Sequence, residues 1–226
     1  MGHVLSKTIL ISQTIELIAR KYKLTIEEAR DNFYDSDVIE MLDDDETALY
    51  GESALYLFSL YQEYLKNRYV KIVGLNYQGH YQSTRKSCRG IVIENSNILL
   101  SYETKTDTWM IPGGGQEKGE TEIECVVREL IEETGYIVEP IRLAIKIEEF
   151  YGDERFIMKY YLCKTKAQTK TNLTEIEKAN GLESRWVPLE KALSIFSNYQ
   201  RYTEIDEMRK GLYLREYSAL KIMMNK

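Results

Sequence analysis

Three glycines in a row, Gly113, Gly114 and Gly115, stand shortly before residues 121–134, a run with no proline or glycine, and Gly135 follows at once. A chain patterned like this must set a loop of bare backbone against the start of a helix. Residues 121–134 are helix formers, and Gly135 suits the left-handed position that ends a helix. On such a helix Ile123, Val127, Leu130 and Thr134 share one side, which is the predicted core face. Glu129, Glu132 and Glu133 are related by three and four residues, so their carboxylates converge on another side. Like charges at that spacing oppose one another by about 0.2–0.5 kcal/mol per pair. A hard cation turns the repulsion into coordination, because Mg²⁺ takes carboxylate oxygens and keeps waters that phosphate can replace. The glycine loop lets backbone approach a metal or a phosphate closely. A solvated acidic face is the plainer reading of a lone Glu-rich helix, and the spacing of the whole stretch decides against it.

That spacing runs Gly114, Glu120, Arg128, Glu129, Leu130, Glu132, Glu133, Gly135. It resembles the Nudix signature, Gly-x5-Glu-x7-Arg-Glu-(aliphatic)-x-Glu-Glu-x-Gly-(aliphatic). Tyr136 stands at the last, aliphatic position, with Ile137 next to it. Seven fixed residues, each at roughly 6% background, meet by chance in such a chain on the order of once in ten million. Trp109-Met110-Ile111-Pro112 is also similar to the family's approach to this box. The resemblance covers residues 69–226 and implies an α+β fold, the Nudix α/β/α sandwich with a mixed sheet. It implies Glu129, Glu132 and Glu133 as metal ligands together with the Gly113 carbonyl. Arg128 would orient a glutamate, and Glu120 would be structural. The expected cofactor is Mg²⁺, with Mn²⁺ as the alternative. The expected reaction is hydrolysis of a phosphoanhydride in a nucleoside diphosphate derivative, with water attacking phosphorus in line. The base would be a box glutamate or a carboxylate before Trp186, where Glu175, Glu177 and Glu183 are available. The other reading that the resemblance leaves open is a nucleotide-sensing regulator, although such regulators often have damaged boxes and this one is intact.

Three further residues are expected at the substrate. Arg89 suits a phosphate, with a surface ion pair as the alternative, and Trp109 suits a base, with core packing as the alternative. Tyr151, beside Phe150, lies near the place past the box where the family sorts substrates, and tyrosine there hints at dinucleoside polyphosphates. His3 and His80 are the only histidines, and no Ser-His-Asp or Cys-His arrangement is credible.

Charge divides the chain. Residues 1–66 carry 6 Lys/Arg against 13 Asp/Glu, whereas residues 67–226 carry 24 against 23. The first part, residues 1–66, is expected to be a small all-α domain, and the second, residues 69–226, the Nudix domain. Ile9, Ile15, Leu17 and Ile18 recur at helical spacing, and Thr25 with Glu28 forms a capping box. Residues 43–46 read as a solvated acidic loop, and residues 53–67 as a third helix with Leu55, Leu57, Leu60, Tyr61 and Leu65 inward. The first part also resembles a small uncharacterised helical domain of bacterial proteins, which implies no activity. Its apolar faces call for cover from the second domain or from a second copy of the chain, a homodimer. Its acidity argues against nucleic acid as a partner. Strands are expected at 69–77, 88–94 and 98–102, with a turn at Asn95-Ser96-Asn97. A hairpin is expected at 141–150 and 156–164 around Gly152-Asp153, and helices at 189–196 and 213–224. Cys88, Cys125 and Cys163 lack ligand spacing, so no disulfide framework or zinc site is expected and a reducing cytoplasm fits. The apolar stretch at 9–11 is too short to span a membrane, and no signal-peptide pattern is seen.

Overall fold

The computed structural model describes residues 2–34 and 36–224, and the chain divides into two compact units, Met1–Arg68 and Tyr69–Lys226. The first unit is helical: α1 (Gly2–Tyr22), α2 (Ile26–Tyr34), α3 (Asp37–Asp43) and α4 (Ala54–Asn67), with two single 3-10 turns between α3 and α4. The Thr25–Glu28 box forms, with Thr25 N donating to Glu28 Oε2 at 2.8 Å and Glu28 N donating to Thr25 Oγ1 at 3.2 Å. Ile15, Ile18, Phe33, Leu42, Leu57 and Tyr61 are buried together. The sequence reading needs three corrections here. Among the described residues the unit has four α-helices, because Ser36 opens the short α3. The acidic run ends that helix and curls into a 3-10 turn, with Thr47 Oγ1 donating to Met41 O at 2.6 Å. Ile9 and Leu55 face outward at 49% and 67% exposure, because Leu10 and Leu57 take the inward positions.

The second unit contains β1 (Tyr69–Val73), β2 (Ser83–Glu94), β3 (Asn97–Glu103), β4 (Thr108–Met110), β5 (Gly113–Gly115), α5 (Glu122–Thr134), β6 (Tyr136–Tyr151), β7 (Glu154–Gln168), α6 (Glu175–Asn180), β8 (Leu182–Pro188), α7 (Leu189–Ser197) and α8 (Glu207–Met224). Asn95 and Ser96 both adopt positive φ, the backbone of a two-residue hairpin turn between β2 and β3. The strands make one mixed sheet in the order β1-β6-β7-β2-β3-β4, with β5 on β2 and β8 on β3. β1–β6 and β7–β2 are parallel, and the other pairings are antiparallel. Val126 and Leu130 of α5 pack with Val92, Leu99 and Tyr161 on one face. Ala192, Phe196, Tyr213 and Leu220 of α7 and α8 pack with Ile91, Leu100 and Tyr160 on the other. This is an α/β/α sandwich of the α+β class.

β1 stops at Val73 rather than running on to Tyr77. Gly74 N bonds Phe150 O at 2.8 Å, and a Cβ on Gly74 would lie 2.3 Å from the Tyr151 ring. β2 begins at Ser83, ahead of the expected Cys88, because its parallel register with β7 runs from Ser83 to Val92. α8 likewise starts at Glu207 rather than at 213, after the 3-10 turn Asn198–Tyr202.

Candidate active site

α5 is fixed at both ends. Thr121 N donates to Glu124 Oε2 at 2.8 Å, Glu124 N donates back to Thr121 Oγ1 at 3.2 Å, and Gly135 closes the helix at φ 72°. The buried side of this helix is Cys125, Val126, Glu129, Leu130, Glu133 and Thr134, while Ile123 is 46% exposed. The expected core face is therefore rolled toward the acidic side, for two reasons. Gly90 has no side chain, so Leu130 seats directly on β2, where a Cβ would meet Leu130 Cδ2 at 2.6 Å. The bare backbone of Gly113 and Gly114 gives two glutamates a polar place inside.

Glu133 accepts from Ser101 Oγ at 2.7 Å and from Gly113 N at 3.2 Å. Glu129 lies against Gly114, so close that a Cβ there would sit 2.5 Å from its Oε2. Arg128 holds the surroundings. Its Nε and Nη2 donate to the two Glu120 oxygens at 2.7 and 3.0 Å, and Nη2 also reaches Gly115 O at 3.0 Å. Its Nη1 donates to Glu129 Oε1 at 2.9 Å and to Glu132 Oε2 at 3.1 Å. Burial pushes Glu133 up to about 7 against the Ser101 hydrogen bond and the Arg89 charge, with Glu129 adding repulsion. Burial also raises Glu129, against the Arg128 hydrogen bond. The Arg128 hydrogen bonds hold Glu120 down at about 2.

Among the described residues no three His, Cys, Asp or Glu side chains stand close enough to share a metal ion. The structure brings Glu129 and Glu133 to the glycine loop and leaves Glu132 bonded to Arg128. The donor chemistry still fits a hard divalent cation. Two buried, mutually repelling carboxylates face a cradle that a single Cβ would fill, and their ligating atoms are all oxygens.

The family model of the NUDIX domain matches residues 84–207. The chain belongs to the Nudix family. "Putative ADP-ribose pyrophosphatase YjhB" of Bacillus subtilis (strain 168) is 37% identical over 76 residues, which are 33% of this chain and 36% of that protein. An RNA pyrophosphohydrolase of Ruthia magnifica subsp. Calyptogena magnifica is 42% identical over 59 residues, 25% of this chain and 33% of that protein. The matched stretch thus spans about a third of the length of these curated relatives. The crystal structure of a MutT protein from Methanosarcina mazei Go1 is 22% identical with a TM-score of 0.45, covering 64% of this chain and 98% of that one. Nudix enzymes generally use divalent metals such as Mg²⁺.

The other expected Nudix residues fall into different places. Arg89 is buried, its Nη1 donating to Ile111 O at 2.5 Å, so it is no surface ion pair. Its charge acts on Glu129, Glu133 and Glu216 together. Trp109 is half-buried beside a cleft, with its ring 4.3 Å from that of Tyr102. Tyr151 is 6% exposed and packs on Gly211 of α8, and burial drives its phenol above the ordinary range. Of the candidate bases before Trp186, Glu177 closes the cap of α6 through Thr174 N at 2.7 Å, Glu175 pairs with Lys178 at 2.8 Å, and Glu183 pairs with Arg185. His80 is exposed near Gly152, and the side chain of His3 lies outside the described residues.

Ser101 was missed in the sequence, although a hydroxyl closing the apolar run Ile98–Leu100 was a usable signal. A buried set of charges was missed as well. Arg215 of α8 pairs with Glu149 at 3.0 Å and with Glu216 at 3.5 Å, and the two carboxylates are 2% and 0% exposed. Two adjacent glutamates inside the strand Ile147–Tyr151 were the available hint.

Proposed function

We propose that this chain is a metal-dependent pyrophosphohydrolase that cleaves a phosphoanhydride bond in a nucleoside diphosphate derivative by attack of water. One observation carries the reading: two buried carboxylates on one helix, Glu129 and Glu133, are brought against the side-chain-free backbone of Gly113 and Gly114. Glu129, Glu132 and Glu133 are the side chains that would hold Mg²⁺ or Mn²⁺, with the Gly113 carbonyl. When bound, the ion neutralises charge on the phosphate oxygens and makes a bound water more acidic.

The chain's own residues do the rest. Ser101 and the Gly113 N–H fix the Glu133 carboxylate. Arg128, anchored at Glu120, orients Glu129 and Glu132. The base in this reading is a box glutamate, because Glu175, Glu177 and Glu183 have partners of their own away from the box. Arg89 sits where its charge favours anionic groups beside Glu129 and Glu133. Both relatives are named for the cleavage of pyrophosphate linkages, which supports the reaction class. The intact box supports an enzyme over a nucleotide sensor. Residues 1–68 supply none of the box, and their apolar helix faces suit a packing or dimerising role.

The test is a screen of ADP-ribose, dinucleoside polyphosphates and nucleoside triphosphates with Mg²⁺, reading released phosphate and nucleoside monophosphate. Metal-dependent turnover that falls by orders of magnitude in Glu133→Gln is expected. Full activity in EDTA, or wild-type turnover in that variant, overturns the reading.

A further inference from the structure

We propose that the cleft beside Trp109 is a nucleobase site selective for a base with an exocyclic amine, such as adenine. The proposal rests on the hydrolase reading above and names the part of the substrate that this end of the molecule grips. The cleft has a volume of about 250 Å³, and Asp107, Ser194, Asn198, Lys191 and Arg201 line it with Trp109. That is small beside the ~300–1,000 Å³ of pockets that engulf whole ligands, and it suits a single base.

Trp109 is built as a fixed platform. Tyr102 stacks on it at 4.3 Å and 30°, and the Arg185 guanidinium lies 4.3 Å over the Tyr102 ring. Tyr213 Oη receives the Trp109 backbone N–H at 3.3 Å. An aromatic face locked in this way offers stacking at little entropic cost.

The polar lining supplies the selectivity. Asn198 Nδ2 donates to Ser194 O at 2.8 Å, which leaves its side-chain carbonyl as an acceptor. Asp107 takes the Tyr102 hydroxyl on Oδ1 at 3.0 Å, which leaves its second oxygen. Both remaining groups accept, so they match an amino group and oppose a carbonyl. Lys191 and Arg201 add positive charge for a phosphate-bearing ligand.

Position ties the cleft to the chemistry. Trp109 pairs with Tyr102, and the next residue, Met110, pairs with Ser101, whose hydroxyl bonds Glu133. Trp109 packs on the face of the sheet that carries α7 and α8, and the neighbouring pair Met110 and Ser101 turns to the α5 face, so the cleft and the Glu133 carboxylate are one strand position apart on opposite faces. β8 runs along one edge of β3 and β4 along the other, on the side of β2, so the way from Trp109 to Gly113 follows β4 into β5.

The experiment titrates the full chain, in EDTA, with AMP, UMP and ribose 5-phosphate, by calorimetry and by tryptophan fluorescence. AMP should bind at least tenfold tighter than the other two and quench the emission. Trp109→Leu should weaken AMP by about 5- to 150-fold. Ser194→Tyr, a substitution on the exposed rim that fills the cleft, should weaken it similarly with an unchanged melting temperature. AMP binding no tighter than ribose 5-phosphate, or wild-type AMP affinity in Ser194→Tyr, overturns the proposal. Binding is read without turnover, so an inactive protein that still selects AMP removes the hydrolase reading and leaves this site standing. An active hydrolase indifferent to the base does the reverse.

Discussion

Three adjacent glycines should respond to alanine in three different ways. At Gly114 a Cβ would lie 2.5 Å from Glu129 Oε2, where ordinary contact begins at 3.4 Å. The neighbour is the end of a flexible side chain, so it can retreat by about 0.9 Å and the fold survives. The carboxylate is nonetheless displaced from its place beside the loop. A misplacement of about 1 Å in a reacting constellation costs on the order of 10²-fold in rate. At Gly115 the nearest group is Arg85 Nη2 at 3.8 Å, so alanine meets nothing it must move. At Gly113, φ is +140° and a Cβ would lie 2.3 Å from Cys88 O and 2.6 Å from Arg89 Cα. Backbone cannot retreat as a carboxylate can, and that φ region is almost closed to other residues. Gly113→Ala should therefore fail to give folded protein. Gly114→Ala should fold with a melting temperature within a few degrees of wild type and lose about 100-fold in kcat/KM. Gly115→Ala should be close to wild type in both. The measurements are thermal melts and metal-dependent hydrolysis of the best substrate from the screen. Wild-type kcat/KM in a folded Gly114→Ala protein would refute the placement of Glu129 in the reacting centre.

Glu120→Gln should lower stability by ~1–2 kcal/mol at pH 7. The drop from 4.5 to about 2 corresponds to at most ~3.5 kcal/mol at about 1.4 kcal/mol per pH unit, and solvent screening of this half-buried pair reduces it. Because the folded-state value is depressed, the difference from wild type should be complete above pH 4.5 and shrink as pH falls toward 2, which urea melts across that window check. Arg215→Met strands the buried Glu149 and Glu216 and should cost ~3–5 kcal/mol in urea melts; a change below 1 kcal/mol contradicts the ion set. A protein beginning at Tyr69 should, when soluble and folded, keep metal-dependent hydrolysis at a similar kcat, and an inactive but folded truncation contradicts the division of labour between the units.

Helix α5 was legible because its constraints are local. A capping box, a run of helix formers and a terminal glycine are written in consecutive residues, and so is the spacing of Glu129, Glu132 and Glu133. The hairpin about Asn95 and Ser96 was legible for the same reason. Which side of α5 faces the core was not. Periodicity assigns apolar residues inward, yet here two glutamates are buried and Ile123 is exposed. The deciding facts, the gaps left by Gly90 and Gly114, lie on other strands and become neighbours only after folding. The burial of Tyr151 was hidden on similar grounds: Gly211, far off in sequence, lets α8 close over it.

The same physics links the two faces of the sheet. Glu129 and Glu133 come in from α5, and Glu216 from α8 on the other side, and all three feel Arg89. Burial favours the neutral form of every one of these carboxyls, and Arg89 opposes that tendency for all three, joined by Arg128 at Glu129 and by Arg215 at Glu216. Glu216 draws on both Arg89 and Arg215, and on Arg89 the more strongly, so α8 competes with the box for the Arg89 charge. Removing Glu216 or Arg215 therefore changes the field at Glu129 and Glu133 without touching either. In this arrangement the C-terminal helix is part of the electrostatic wall of the site, although no motif in its own sequence marks it as such.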